Sequence, residues 1–100
     1  MEFFSTRNVN EKVSAAQAIA QGLSQEGGLF VPASFPKVDL DAACKMEYAQ
    51  LASYILSGYL EDYDPNFLKQ ATADTYGAAF GGKAGQLEHV EGSTYALELW

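Results

Sequence analysis

Cysteine is nearly absent from this chain. Cys44 is the only one in 100 residues, so no internal disulfide can form and nothing calls for an oxidising compartment. Histidine is equally scarce. With His89 alone, neither a histidine pair nor a finger-like His/Cys set can hold zinc. Cations are few as well: six Lys and Arg stand against thirteen Asp and Glu, for a net charge of −7. The six are scattered at Arg7, Lys12, Lys37, Lys45, Lys69 and Lys83. A nucleic-acid partner wants a clustered basic patch, so that class is excluded. No apolar run approaches the ~18 residues that span a bilayer, and no basic leader precedes an apolar stretch at the start. These absences point to an acidic, reduced, cytoplasmic protein with neither membrane nor nucleic acid as a partner.

What is present is apolar and aromatic: 48% hydrophobic and 13% aromatic residues, enough for one domain with a modest core. Glu2 to Thr6 suits a strand, and Asn8, Asn10 and Glu11 read as a turn. Ser14 with Gln17 forms a capping-box pair, followed by helix-favouring alanines and a stop at Gly22, with Leu23 folding back toward Ala18. Gly27-Gly28 predicts a tight turn into the strand Leu29-Phe30-Val31, which Pro32 ends. Asp39 caps a brief helical turn through Ala43. Tyr48, Leu51, Ala52, Ile55, Leu56, Tyr59 and Leu60 keep helical spacing and predict one apolar stripe facing the core. Asp64-Pro65 opens a helix expected to reach about Phe80, before the glycines from Gly81 break it. Leu87 to Val90 is a short extended piece. Tyr95, Leu97 and Leu99 alternate with Ala96, Glu98 and Trp100, as in a half-buried strand. The fold class expected is α+β, helix-dominated, with about three helices and three or four short strands.

Most apparent sites have plainer explanations. Gly77 to Ala84 meets the Gly-x4-Gly-Lys spacing of a phosphate loop. It lacks the Ser or Thr after the lysine, and a helix rather than a strand precedes it; a glycine-rich helix stop explains it. His89 has no nucleophile in sequence reach, and strand neighbours Glu88 and Glu91 do not share its position, so a surface histidine is expected. Cys44 reads as a buried, inert thiol. Glu61, Asp62 and Asp64 lack calcium-loop spacing and read as a solvated turn with a helix cap. The tyrosines fall on helix stripes and read as packing.

Three stretches together carry more. Ala18-Ile19-Ala20-Gln21-Gly22-Leu23, then Gly27-Gly28-Leu29-Phe30-Val31-Pro32, and finally Leu97-Glu98-Leu99-Trp100 occur in order at separations that resemble the start of threonine synthase. Looser likenesses lie at Tyr48 to Leu60 and Tyr76 to Phe80. The resemblance spans nearly the whole chain, residues 1–100, as a threonine synthase-like N-terminal domain. The family's Leu-Glu-Leu-aromatic run stands directly before a His-Gly-Pro-Thr segment and the lysine that holds pyridoxal phosphate. The sequence is expected to stop one residue short of that segment.

The resemblance implies a pyridoxal phosphate-dependent lyase of threonine biosynthesis, converting O-phosphohomoserine and water to threonine and phosphate. It implies that the catalytic and cofactor-binding residues lie outside these 100, and that the partners are the enzyme's own catalytic domains. By itself the fragment is expected to bind no cofactor or metal and to be inactive. Within the fragment, Ser5-Thr6-Arg7 matches the family's Ser-Thr-Arg-Gly run, with Asn8 in place of the glycine; Asn tolerates a left-handed turn there. The match implies a substrate-site rim, since arginine suits a phosphorylated ligand. A salt bridge from Arg7 to an acidic neighbour is the simpler reading, and both stay open. A different class is a free-standing interaction module, whose exposed apolar face docks a protein. A surface once packed against neighbours would either self-associate weakly or leave residues 92–100 disordered.

Overall fold

A computed structural model describes residues 1–81 and 84–99. The first strand, β1 (Phe3–Ser5), is central in a three-stranded antiparallel sheet. Its neighbours are β2 (Lys12–Val13) and β3 (Phe30–Pro32), with Phe3 opposite both Val13 and Pro32. Pro32 sits on an edge strand, where a missing N–H is tolerated. Between β2 and β3 runs α1 (Ala15–Gln21). Ser14 and Gln17 form the full capping box, and Gly22 closes the helix at φ +78° with its N–H on Ala18 O. Leu23 bridges Leu29 and is half exposed.

A four-residue helix α2 (Leu40–Ala43) follows, capped by Asp39. The helices α3 (Tyr48–Tyr59) and α4 (Pro65–Tyr76) then pack as a pair. Asp64 caps α4 by accepting from the N–H groups of Asn66 and Phe67. The expected run to Phe80 is cut short at Tyr76. Gly77 leaves helical space at φ −93°, ψ −121°, and a single 3₁₀ turn follows over Ala78–Phe80. A side chain at 77 would collide with Ala73 O at 2.7 Å. The chain ends in a separate hairpin, β4 (Leu87–Glu91) and β5 (Thr94–Leu97).

The fold is α+β, with four helices and five short strands in two small sheets among the described residues. The one strand beyond those expected is β2, which follows directly on what reads as a turn, and the sequence also left open that β4 pairs with β5. The last strand ends at Leu97, short of the expected Trp100, and β5 is exposed on both faces, not half-buried. The α3 stripe is half-buried rather than buried: Leu51, Ile55 and Leu56 are intermediate and Tyr48 is exposed. Fully buried apolar side chains are few, Ala15 and Leu68 among the described residues. The accessible surface is 7269 Å², against roughly 5,500 Å² for a compact monomer of this mass. The radius of gyration is 16.2 Å, against about 13 Å.

Candidate functional site

The Ser5-Thr6-Arg7 run leaves the end of β1 and meets the Ser24–Leu29 turn. Ser5 is fully buried. Its Oγ donates to Ser24 Oγ at 2.8 Å and accepts from Arg7 N–H at 3.1 Å. Ser24 Oγ accepts in turn from Gly28 N–H at 2.9 Å. Thr6 Oγ1 accepts from Leu29 N–H at 3.0 Å, while Thr6 N–H reaches Leu29 O at 2.9 Å. These bonds lock the strand end onto the glycine turn. Gly28 is required there, because a Cβ would lie 2.4 Å from Ser5 Oγ. Gly27 holds φ +76°, a conformation that favours glycine.

Arg7 is exposed and donates Nη1 to the backbone carbonyl of Glu26 at 2.7 Å. It forms no ion pair among the described residues, so the salt-bridge reading is corrected: a carbonyl, not a carboxylate, holds the guanidinium. Among the described residues only one of its five N–H groups is bonded. Asn8 does not adopt a left-handed turn, since no residue other than glycine has positive φ among the described residues. Its side chain makes the turn instead. Oδ1 accepts from Asn10 N–H at 3.1 Å and Nδ2 donates to Glu26 Oε1 at 3.0 Å. That amide, with further hydrogen bonding from Glu11 and the backbone, holds Glu26 below the usual carboxylate range.

Of the three rim residues, then, Ser5 is sealed in and Thr6 is bonded to the turn. Arg7 alone presents unused donors outward. Ser24 and Glu26, which complete the cluster with the turn glycine Gly28, carry no site signal in the sequence, and Gly28 reads there only as a turn residue. What the spacing offers is a turn: Ser24, four positions before Gly28, has a side chain able to bond across it.

The remaining candidates are placed separately. Cys44 is exposed at the end of α2, not buried, because that helix is too short to cover its own last turn. His89 lies on the hairpin, where Nε2 donates to Gly92 O at 2.8 Å and the ring packs 5.2 Å from Tyr95. The acidic trio divides among three tasks. Glu61 takes the Met1 ammonium, Asp62 accepts from Ala16 N–H at 2.9 Å, and Asp64 caps α4. No metal-ligating cluster occurs among the described residues. Gly82 and Lys83 of the phosphate-loop-like stretch, and Trp100, lie outside the described residues.

Two clefts stand out among the described residues. One of about 680 Å³ lies between α3 and α4, lined by small side chains such as Ala49, Ser53, Ser57 and Thr72, with Lys69 at its edge. The other, about 330 Å³, lies between α1 and the sheet and is lined by Phe3, Ile19, Phe30 and Leu60. The first is lined by two titratable side chains, Tyr54 and Lys69, without a carboxylate or histidine, and the lining of the second is apolar. Pyridoxal phosphate needs a lysine for its Schiff base. Lys12, Lys37, Lys45 and Lys69 are all exposed, and Lys12 is paired with Glu2. These residues do not fit the cofactor.

The family model for the threonine synthase N terminus matches residues 2–76. Threonine synthase of Escherichia coli K12 is 31% identical over 103 residues, covering 100% of this chain and 23% of that protein. Human threonine synthase-like 1 is 32% identical over 113 residues, covering 98% of this chain and 15% of that protein. The crystal structure of threonine synthase from Escherichia coli superposes with a TM-score of 0.82 at 29% identity, over 98% of this chain and 23% of that one. The chain thus spans about a quarter or less of these relatives. No helix among the described residues is long and apolar enough to cross a membrane. The chain belongs to the threonine synthase N-terminal family.

Proposed function

We propose that this chain is the non-catalytic N-terminal domain of a pyridoxal phosphate-dependent threonine synthase of the cytoplasm. The whole enzyme would convert O-phosphohomoserine and water to threonine and phosphate. The observation that carries the reading is the fit of the entire chain to one end of that family's fold. In this role the 100 residues do no chemistry. They pack against the enzyme's catalytic domains and present Arg7 at the substrate entrance. Support for Arg7 comes from its geometry: the guanidinium is anchored by one bond to Glu26 O, and its remaining donors match phosphate oxygens.

The test is a chimera in which these residues replace the matching segment of the Escherichia coli enzyme. Phosphate release from O-phosphohomoserine is then followed. The chimera should turn over substrate, and Arg7→Ala should raise KM about tenfold, the loss of one charge-assisted hydrogen bond. A folded, cofactor-loaded chimera without activity overturns the domain assignment. An active chimera whose KM ignores Arg7→Ala removes Arg7 from the entrance. A second reading, a free-standing interaction module, is favoured by the open apolar surface. It predicts that the unmixed chain captures a partner without any catalytic body.

A further inference from the structure

We propose that the cleft between α3 and α4 is a binding site for a small apolar carboxylic acid. The inference goes beyond the enzyme reading and does not depend on it. Ala49, Ser53 and Ser57 recur every fourth residue on one face of α3, and Thr72 and Ala73 line the cleft from α4. Small side chains at these positions leave open space between the paired helices. Its volume, about 680 Å³, falls in the range of roughly 300–1,000 Å³ that holds small ligands.

Ser53 is the residue that calls for a ligand. It is 8% exposed, so more than nine-tenths of it is covered. A serine or threonine within a helix can bond back to a carbonyl of the preceding turn. Ser57 donates in this way to Tyr54 O at 2.8 Å, and Thr72 to Leu68 O at 3.0 Å. The Ser53 hydroxyl makes no such bond, and no other among the described residues. No described polar side-chain atom is both sealed from solvent and without a partner. The hydroxyl therefore opens into the cleft that Ser53 lines.

The other polar groups of the cleft select the ligand's charge. Gln50 Oε1 accepts from Glu47 N–H and Tyr54 Oη accepts from Asp39 N–H, which leaves the Gln50 amide and the Tyr54 hydroxyl to donate. Lys69 makes no ion pair among the described residues. In a chain of net charge −7, Ser53, Gln50, Tyr54 and Lys69 thus bring donors to one cleft that no carboxylate lines. A single cation among neutral donors complements a monoanion, and a carboxylate is the smallest such group. The ammonium of an amino acid would find no counter-charge, and a phosphate dianion would meet only one cation. Met46, Ala49, Pro65 and Ala73 supply apolar walls for the body of the acid. A covering protein surface is the rival occupant. It would seek the large exposed apolar side chains as anchors, and none of these lines the cleft: Ile19, Phe35, Leu40 and Leu97 all stand elsewhere.

The probe is hexanoate, titrated into the isotope-labelled 100-residue chain at neutral pH and fixed ionic strength. Amide shifts should change within residues 46–57 and 65–73, with Kd of about 1–5 mM. Hexanamide, aminohexanoate and inorganic phosphate should each bind at least about fivefold more weakly. Ser53→Ala should weaken hexanoate about fivefold and leave the urea midpoint unchanged, because the hydroxyl holds nothing in the protein. Lys69→Met keeps the apolar stem and should weaken it about tenfold. Lys12→Met, on β2, should have no effect. No shift at about 20 mM, equal or tighter binding of any of the three controls, affinity indifferent to Ser53→Ala and Lys69→Met, or shifts centred outside the cleft each overturns the proposal. The chimera with the Escherichia coli enzyme supplies a further arm, read by saturation transfer to the hexanoate protons. Binding there should match that of the isolated chain. Its loss in an active chimera would show that the catalytic body fills the cleft, and overturns the proposal as well. Failure of the domain assignment is read from chimera activity and leaves the result on the isolated chain standing.

Discussion

At the residue scale, the Ser5–Ser24–Gly28 contact leaves no spare volume. Gly28→Ala would push a methyl group against the buried Ser5 Oγ and, at 3.1 Å, the backbone N of Arg7. The backbone there cannot retreat without breaking the Thr6–Leu29 bonds. We expect a loss of about 1–3 kcal/mol, read as a lower urea midpoint with unchanged slope. Asp62 is the second residue with a readable consequence. Its carboxylate is held below its ordinary value of 3.8, first by the backbone N–H of Ala16. A carboxyl group whose folded-state pKa is depressed stabilises the fold while ionised, so the contribution is full above the unfolded value. It is lost as pH falls through the lowered one. The melting temperature of Asp62→Asn should therefore sit below that of the parent at pH 5–7. The two curves should converge below about pH 3. A gap that persists in acid would mean that the Ala16 cap is indifferent to charge.

At the element scale, α3 and α4 share the work unequally. Leu68 is 5% exposed whereas Ile55 is only half-buried. Leu68→Ala should cost about 2–5 kcal/mol, and Ile55→Ala about half as much, because its cavity opens to solvent. Equal losses in denaturant melts would place the core under α3 instead. The sequence signals that held were local ones. Ser14 with Gln17, Asp39, and Asp64-Pro65 each satisfy orphan N–H groups from a few residues away, so their helix starts are legible without knowing the fold. The signals that failed depended on distant partners. Lys12-Val13 becomes a strand only because Phe3 and Phe4 lie opposite. The alternation from Tyr95 to Trp100 found a strand, which ends at Leu97, but alternation cannot say whether anything covers the apolar face. The candidate site was legible as three adjacent polar residues. The Gly27-Gly28 turn was legible too, but its meeting with Ser5 through Ser24 and Glu26, about twenty positions on, was not, since no periodicity links the two stretches.

For the whole molecule, surface is the controlling quantity. The chain buries about half of the area its unfolded state exposes, where a compact domain of this mass buries nearly two-thirds. The urea m-value follows the area exposed on unfolding. It should come out about one-sixth below that of a compact 100-residue domain. A normal slope would show that the chain is more tightly closed in solution. Extents of 45 × 34 × 27 Å also mean that distant parts are joined by few fasteners. One of these is the chain's own first atom. The Met1 ammonium meets Glu61 after α3, and its side chain is nine-tenths covered. The amino terminus is thus a point of attachment rather than a loose end. Acetylation, a retained formyl group or an affinity tag added there would turn the ammonium into an amide and leave Glu61 without its cation. A purification handle fused at residue 1 would therefore alter the object being purified.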